Sequence, residues 1–334
     1  MPRIAFSDLK AEFKRVLVKK GCRDDIAETS ARLIAESSCD GVYSHGVNRF
    51  PRVVEYIDKG YIDVNATPTR VEGIGGFERW DGHLGLGNVN AKLAMDRAIA
   101  LAHEHGIGCV ALANTNHWLR GGTYGWQAAD AGCIGICWTN TQPNMPAWGA
   151  RDRRIGNNPF IMAVPREGGH VVVDMSVAQF SYGQMEAAKM RGEQLPVPGG
   201  YDEAGNISTD PGEISKSWRV LPIGFWKGSG MSILLDLVAT VLGGGRSTYR
   251  VGKLGDDEYQ LSQVCIAIDA KGIAGESFLA SAVNEVLADI KASVRVDPGQ
   301  EIYYPGEKEL NTRAENMAKG IPVDDGVWAK IRSL

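Results

Sequence analysis

Hydrophobic positions near the two ends of the chain recur at the three-to-four spacing of half-buried helices, whereas the middle is built from short apolar runs separated by glycine and proline. The first sixty residues predict three helices. Ser7 can cap one that runs to Lys20 and stops at Gly21, a second spans about Asp24 to Ser38, and a third follows His45 with Val47, Phe50, Val54 and Ile57 on one side. Residues 61–87 carry loop signals at Thr67-Pro68 and at Gly73, Gly75 and Gly76. A long helix follows from Asn88 to His105, with Val89, Leu93, Ala94 and Ile99 in phase and Gly106 as its stop.

From Gly106 the pattern alternates. Ile107 to Ala113 reads as a strand, Gly122 to Ala131 as a short helix and Cys133 to Thr139 as a strand. Phe160 to Val164 and His170 to Asp174 form a predicted hairpin around Arg166-Glu167-Gly168-Gly169. Residues 196–222, rich in Gly, Pro, Asp and Ser, read as a long ordered excursion, and Gly230 to Leu242 as a strongly apolar, fully buried helix. Gln263 to Asp269 predicts a strand, Glu276 to Ala292 a helix, and the last thirty residues are helical after a Pro305-Gly306 turn. The sum is a mixed α/β (α+β) fold, with a helical domain from residues 1–70 and 275–334 around a sheet-rich domain of 71–274.

Composition narrows the function classes. A 44% hydrophobic share with 23% charged residues is ordinary for a globular protein of 334 residues. A net charge of −4 and a pI near 5.9 leave no electrostatic footprint for nucleic acid or an anionic membrane. The start, Met1-Pro2-Arg3-Ile4-Ala5-Phe6-Ser7-Asp8, has no apolar core of a secretory signal, so a cytoplasmic location is expected. The longest apolar stretch, Ile233 to Leu242, contains Asp236 and is too short to span a bilayer. Cys109, Cys133, Cys137 and Cys265 sit in apolar runs and read as reduced small hydrophobes. None has zinc-ligand spacing, so no metal is expected.

Two segments carry candidate chemistry. In Gly41-Val42-Tyr43-Ser44-His45-Gly46-Val47-Asn48-Arg49-Phe50, His45 and Arg49 lie four residues apart, which on a helix turns them to one face. A guanidinium fork can grip a carboxylate while an imidazole exchanges a proton beside it, the equipment for reducing the carbonyl of a 2-oxo acid. The same pair could also cap the helix and form a surface ion pair. A second histidine, His117 in Asn114-Thr115-Asn116-His117-Trp118, follows a predicted strand, a usual place for chemistry. No standard dinucleotide loop exists: Gly106-Ile107-Gly108-Cys109-Val110-Ala111 has the right spacing but follows a helix and opens a strand. Gly228-Ser229-Gly230-Met231-Ser232, after Trp226 and Lys227, could be an anion-binding helix start or a plain glycine-rich cap.

Ser-His-Gly-x-x-Arg at 44–49 and Asn-x-Asn-His at 114–117 together resemble the type 2 malate/L-lactate dehydrogenase family. Gly156-Asn157-Asn158-Pro159, Val172-Val173-Asp174-Met175-Ser176, Gly228-Ser229-Gly230-Met231-Ser232 and Pro305-Gly306-Glu307 extend the likeness from end to end. The resemblance implies a nicotinamide-dependent oxidoreductase and a homodimer. Its NAD-binding fold would be unrelated to the Rossmann fold and hold the cofactor across a largely antiparallel sheet. Residues 41–52, 117–129, 137–150 and 221–232 are similar to members acting on a 2-oxo sugar acid, with Trp118, Trp126, Trp138, Trp148 and Trp226 implying a tryptophan-rich pocket. Malate, lactate, ureidoglycolate and cyclic imino acids such as piperideine-2-carboxylate are the alternative substrates within the family.

Carried over by motif, Arg49 holds the substrate carboxylate and His45 is the first choice of proton donor, with His117 the second. Ser44 and Asn116 would hold an imidazole tautomer or a substrate hydroxyl. His170, Val171, Val172, Val173, Asp174, Met175 and Ser176 would line the cofactor, Trp226 and Lys227 would reach its phosphate or ribose groups, and Gly306, Glu307 and Lys308 would close over it. The sugar-acid members commonly carry histidine where Glu307 stands. An Asp174 facing the adenosine ribose would favour NADH over NADPH by repelling a 2′-phosphate.

Overall fold

A computed structural model describes all 334 residues. Helices α1 (Phe6–Lys19) and α2 (Asp24–Cys39) are amphipathic and turn Leu9, Phe13, Leu17, Ile34 and their neighbours into one core. Ala5, not Ser7, precedes the first helical turn, and the Ser7 hydroxyl points to Asp8. The third helix departs from expectation. Tyr43–His45 forms a single 3₁₀ turn, and α3 begins only at Phe50 and runs to Asp58. Gly46 leaves helical backbone between them (φ −117°, ψ −119°), and a Cβ there would collide with Ser38. His45 and Arg49 therefore do not share a helical face.

Residues 61–87 hold more than a loop. Strands β1 (Thr69–Ile74) and β2 (Phe77–Asp81) form a hairpin turning at Gly75-Gly76. Every residue of β1 is exposed, so this edge strand has no buried alternation to betray it. Helix α4 (Gly87–His105) closes on a left-handed Gly106 (φ +85°) and feeds strand β3 (Ile107–Thr115), helix α5 (Gly122–Asp130) and strands β4 (Ile134–Thr139), β5 (Phe160–Val164) and β6 (Val171–Met175). Residues 176–225 include helices Tyr182–Arg191 and Pro211–Ser217 over a small core of Met185, Leu195, Ile214 and Val220. Helix α6 (Trp226–Gly243) then leads back to the last sheet strand, β7 (Leu261–Ile268).

The seven strands lie in the order β1-β2-β3-β7-β4-β5-β6, antiparallel throughout except for β2 beside β3. Helices α4 and α5 cover one face through Met95, Leu101, Tyr124 and Ala128, while α6 lies on the other against Ala111, Trp138 and Val264. Contrary to expectation, α6 is only half buried, with Leu234 63% and Val241 68% exposed. An all-apolar helix has no polar face from which its exposed side could be read. No single helix is long and apolar enough to cross a membrane.

Helices α7 (Glu276–Lys291), α8 (Glu307–Lys319) and α9 (Asp325–Ser333) complete the chain. The two ends meet: Arg3–Ile4 pairs antiparallel with Ile321–Pro322, and Ile321, Val323 and Ile331 join the core of α1 and α2. All six cysteines are unpaired thiols, five of them buried.

Helix α4 lies hard against the loop after β3 at Gly87, where a Cβ would land on the carbonyl oxygens of Asn116 and His117. Backbone cannot yield as a side chain can. Gly87→Ala should cost about 1–3 kcal/mol of stability, read by chemical denaturation, and lower turnover by displacing His117.

Candidate active site

The 3₁₀ turn and the loop after β3 bring the two signature histidines face to face. The His45 and His117 rings lie 5.8 Å apart at 23°, nearly stacked. Backbone strain accompanies them, since Asn114 (φ +53°) and Leu119 (φ +68°) both adopt left-handed conformations around His117. The two imidazoles are held differently. His45 Nδ1 is 2.9 Å from the Ser44 hydroxyl. The Leu119 amide donates to His117 Nδ1 at 3.0 Å. A backbone N–H can only donate, so Nδ1 of His117 is unprotonated and its proton sits on Nε2. That ring offers a hydrogen bond but has no spare proton to release.

Asn116 serves the loop. Its buried side-chain nitrogen donates to the carbonyls of Tyr61, Leu84 and Gly85, while its Oδ1 has no partner within the chain. Arg49, by contrast, has no side-chain hydrogen bond or ion pair within the chain and lines a small cavity with His117, Arg52 and Tyr56. Burial pushes the His45 pKa down; the Asp174 carboxylate opposes this and Arg49 and Arg120 reinforce it. His117 is driven well below the ordinary histidine range by burial, then by Arg49 and His45. Both imidazoles are therefore biased to the neutral form.

Three charged groups of this site escape a reading of the sequence. Arg120, only 3% exposed, pairs with Asp40 at the end of α2, and Asp40 also accepts from Arg313 of α8 at 2.7 Å. The Arg120 Nε, otherwise unpartnered, is 3.8 Å from Asp174. Glu258, also buried, has one oxygen 4.0 Å from His117 Nε2 and accepts from the Gln142 amide with the other. Arg120 could have been found as a charge inside an apolar run. Glu258 could not, because Asp256-Asp257-Glu258 reads as a solvated acidic turn.

The cofactor segments also converge. Pro305 accepts from the Val172 amide at 2.9 Å, which lays the start of α8 along β6. Gly306 (φ +94°) sits so close that a Cβ would press on the Val172 amide, the His170 carbonyl and Trp126 at 3.2–3.3 Å. At the other end Val177 accepts from the Ile223 amide at 2.8 Å, bringing the start of α6 beside Ser176. Strand β6 is the sheet edge, and Val172 turns its N–H outward, so Asp174, two residues on, presents its backbone groups on the same open side. Trp226 and Lys227, both exposed, stand at one end of that edge and a cleft of about 640 Å³ at the other. The cleft is lined by Arg32, Trp126, Asp130, Arg166, His170 and Arg313, and His170 is held by Asp130 at 2.9 Å.

Two expectations, the one on Asp174 and the one on the tryptophans, need correction. The Asp174 carboxylate accepts from the Gly122 amide at 2.8 Å and faces Arg120 and His45, so it gives no reason to prefer NADH over NADPH. Glu307 is engaged with Lys291 at 2.6 Å and with the Tyr304 amide, and Lys308 lies over the Tyr303 ring. The tryptophans do not form one pocket: Trp118 is core, Trp138 bonds to the Leu235 carbonyl, Trp126 flanks His170, and Trp148 stacks near Phe225.

Comparison with known proteins agrees with this architecture. The sequence profile of the malate/L-lactate dehydrogenase family matches residues 4–332. The chain is 48% identical over 332 residues to the 2,3-diketo-L-gulonate reductase of Pasteurella multocida and 47% identical to that of Mannheimia succiniciproducens, covering 99% of this chain and all of each relative. Among solved structures, sulfolactate dehydrogenase from Methanocaldococcus jannaschii superposes with a TM-score of 0.92 at 28% identity, covering 99% of this chain and 96% of that one. Δ1-Piperideine-2-carboxylate reductase from Pseudomonas syringae pv. tomato gives 0.88 at 26% identity, covering 100% and 99%. The chain therefore belongs to the malate/L-lactate dehydrogenase family and is an oxidoreductase of that type.

Proposed function

We propose that this chain reduces 2,3-diketo-L-gulonate to 3-dehydro-L-gulonate, with a nicotinamide dinucleotide, NADH in the first instance, as hydride source. The observation that carries the reading is one unpaired arginine beside two facing histidines in different hydrogen-bonding states. Full-length relatives with this activity in their names support the substrate. When bound, the nicotinamide supplies a hydride to the C2 carbonyl carbon. Arg49 grips the substrate carboxylate and fixes which carbonyl faces the hydride. His117, as its Nε2–H tautomer, donates a hydrogen bond to the carbonyl oxygen and stabilises its growing negative charge. His45, whose Nδ1 is taken by Ser44, delivers a proton to that oxygen from Nε2. The likeness to a piperideine-2-carboxylate reductase supports a second reading, in which the same groups reduce a 2-oxo or imino acid other than the sugar acid.

The decisive assay follows the loss of reduced-nicotinamide absorbance with 2,3-diketo-L-gulonate, pyruvate, oxaloacetate and piperideine-2-carboxylate, each with NADH and with NADPH. Turnover confined to another acid replaces the substrate and keeps the site. His45→Ala should lower kcat by roughly 10²- to 10⁴-fold, whereas Arg49→Ala should chiefly raise KM. An unimpaired kcat in the histidine variant would sink its role.

A pH profile tests the same assignment. Reduction needs His45 protonated, and burial lowers its pKa, so kcat/KM should fall as pH rises through a value below the ordinary histidine range. The Asp174 charge raises that pKa. Asp174→Asn should therefore shift the falling limb to still lower pH, and a limb that stays put argues against His45 as the acid.

The working unit in this reading is a homodimer that covers the exposed apolar side of α6 (Ile233, Leu234, Leu237, Val241). Light scattering should give twice the chain mass, and Leu237→Glu should reduce it to the mass of one chain.

A further inference from the structure

Glu258 is the one buried carboxylate near the reacting groups that the mechanism above leaves idle. Its side chain is 9% exposed and 4.0 Å from the His117 nitrogen that carries the proton; burial pushes its pKa up, while Arg49, the Gln142 amide and Arg52 favour its ionised form. The surrounding loop is bolted to the element that carries Arg49. Tyr259 stacks on Tyr61 at 4.2 Å, Asp257 pairs with Lys59 at 2.9 Å, and the Glu258 amide donates to the Tyr56 hydroxyl at 3.0 Å. Gln260 is held in a left-handed conformation (φ +59°) directly after it. So much fastening for one buried acid implies that its position matters.

A count of charge shows what it does. Arg52 is 3.7 Å from Asp257, and Asp174 faces Arg120. The two histidines are biased to neutrality by burial. What remains around the substrate carboxylate is Arg49, positive, and Glu258. We propose that Glu258 sets the charge the site accepts: its carboxylate offsets Arg49, so the pocket admits a 2-oxo acid with one carboxylate and rejects one with two. The inference rests on the reading that Arg49 holds the substrate carboxylate. A hydroxylated tail can donate to such a carboxylate, whereas a second anionic group meets a like charge in a poorly screened enclosure. Repulsion between like charges about 10 Å apart in such a setting is worth about one power of ten in discrimination.

Pyruvate and oxaloacetate share the 2-oxo acid core and differ by one carboxylate. Their kcat/KM values with the full-length enzyme at pH 8 give the test ratio. Glu258→Gln keeps the shape and an acceptor for the Gln142 amide while removing the charge, and Glu258→Asp keeps the charge. Oxaloacetate should gain about tenfold over pyruvate in Glu258→Gln and stay near the wild-type ratio in Glu258→Asp. An unchanged ratio in Glu258→Gln overturns the proposal, as does an equal rise in both variants, which would mark a packing effect. If the wild type reduces neither probe, the same ratio is read from calorimetric dissociation constants of oxamate, with one carboxylate, and tartronate, with two, on NADH-loaded enzyme. Binding of neither, by any variant, removes the Arg49 reading and this inference with it.

Discussion

The Asp40 carboxylate, clasped between Arg120 and Arg313, is the contact on which the rest of the site depends. It lies where α2 ends, Arg120 comes from the loop between β3 and α5, and Arg313 comes from α8. One buried carboxylate thus ties two helices from opposite ends of the chain to the sheet. A charge so enclosed is tolerated only when paired, and stripping one partner from such a group costs about 3–5 kcal/mol. The pairing therefore does not simply add stability. It makes any displacement of the helical layer relative to the sheet expensive, and Arg120 passes that constraint to Asp174 and so to the field around His45.

The two histidines illustrate how backbone geometry assigns chemistry. They are the same residue in nearly the same place, both pushed toward neutrality by burial. Only the second has a nitrogen occupied by a backbone amide. That single hydrogen bond restricts His117 to donating from Nε2, while the Ser44 hydroxyl, able to donate or accept, leaves His45 free to change protonation state. Holding the amide of Leu119 in position takes left-handed backbone at two non-glycine residues, a cost the buried loop absorbs through the Asn116 carbonyl contacts.

The absence of a glycine-rich phosphate turn also has a structural counterpart. A Rossmann site uses the free amides of a helix start at the end of a parallel strand. Here the sheet is almost wholly antiparallel and ends at β6, with no further strand beside it. Gly306 lets the start of α8 lie against that edge, and the chain before α6 bonds to its far end. Residues far apart in sequence thus meet along β6.

Much of the fold was legible in the sequence. Helices α1, α2 and α4 follow from periodicity and from glycine stops such as Gly106, because each buries one face and exposes the other, and strands β3 to β7 follow from short apolar runs between turn residues. The edge hairpin β1–β2 and the open side of α6 were not, since neither a fully exposed strand nor a uniformly apolar helix carries a two-sided pattern. Within the site, the residue types at 44–49 and 114–117 and the likeness they carry were local properties of the chain. What the tertiary structure alone decided was their relation. His45 and Arg49 were expected together on one helix, yet Gly46 breaks it, and His45 meets His117 through packing between segments some seventy residues apart in sequence. The same holds for Asp40, Arg120 and Glu258. A charge pattern in sequence cannot tell a solvated acid from a buried one, because burial and partner choice are set by segments that only folding brings together.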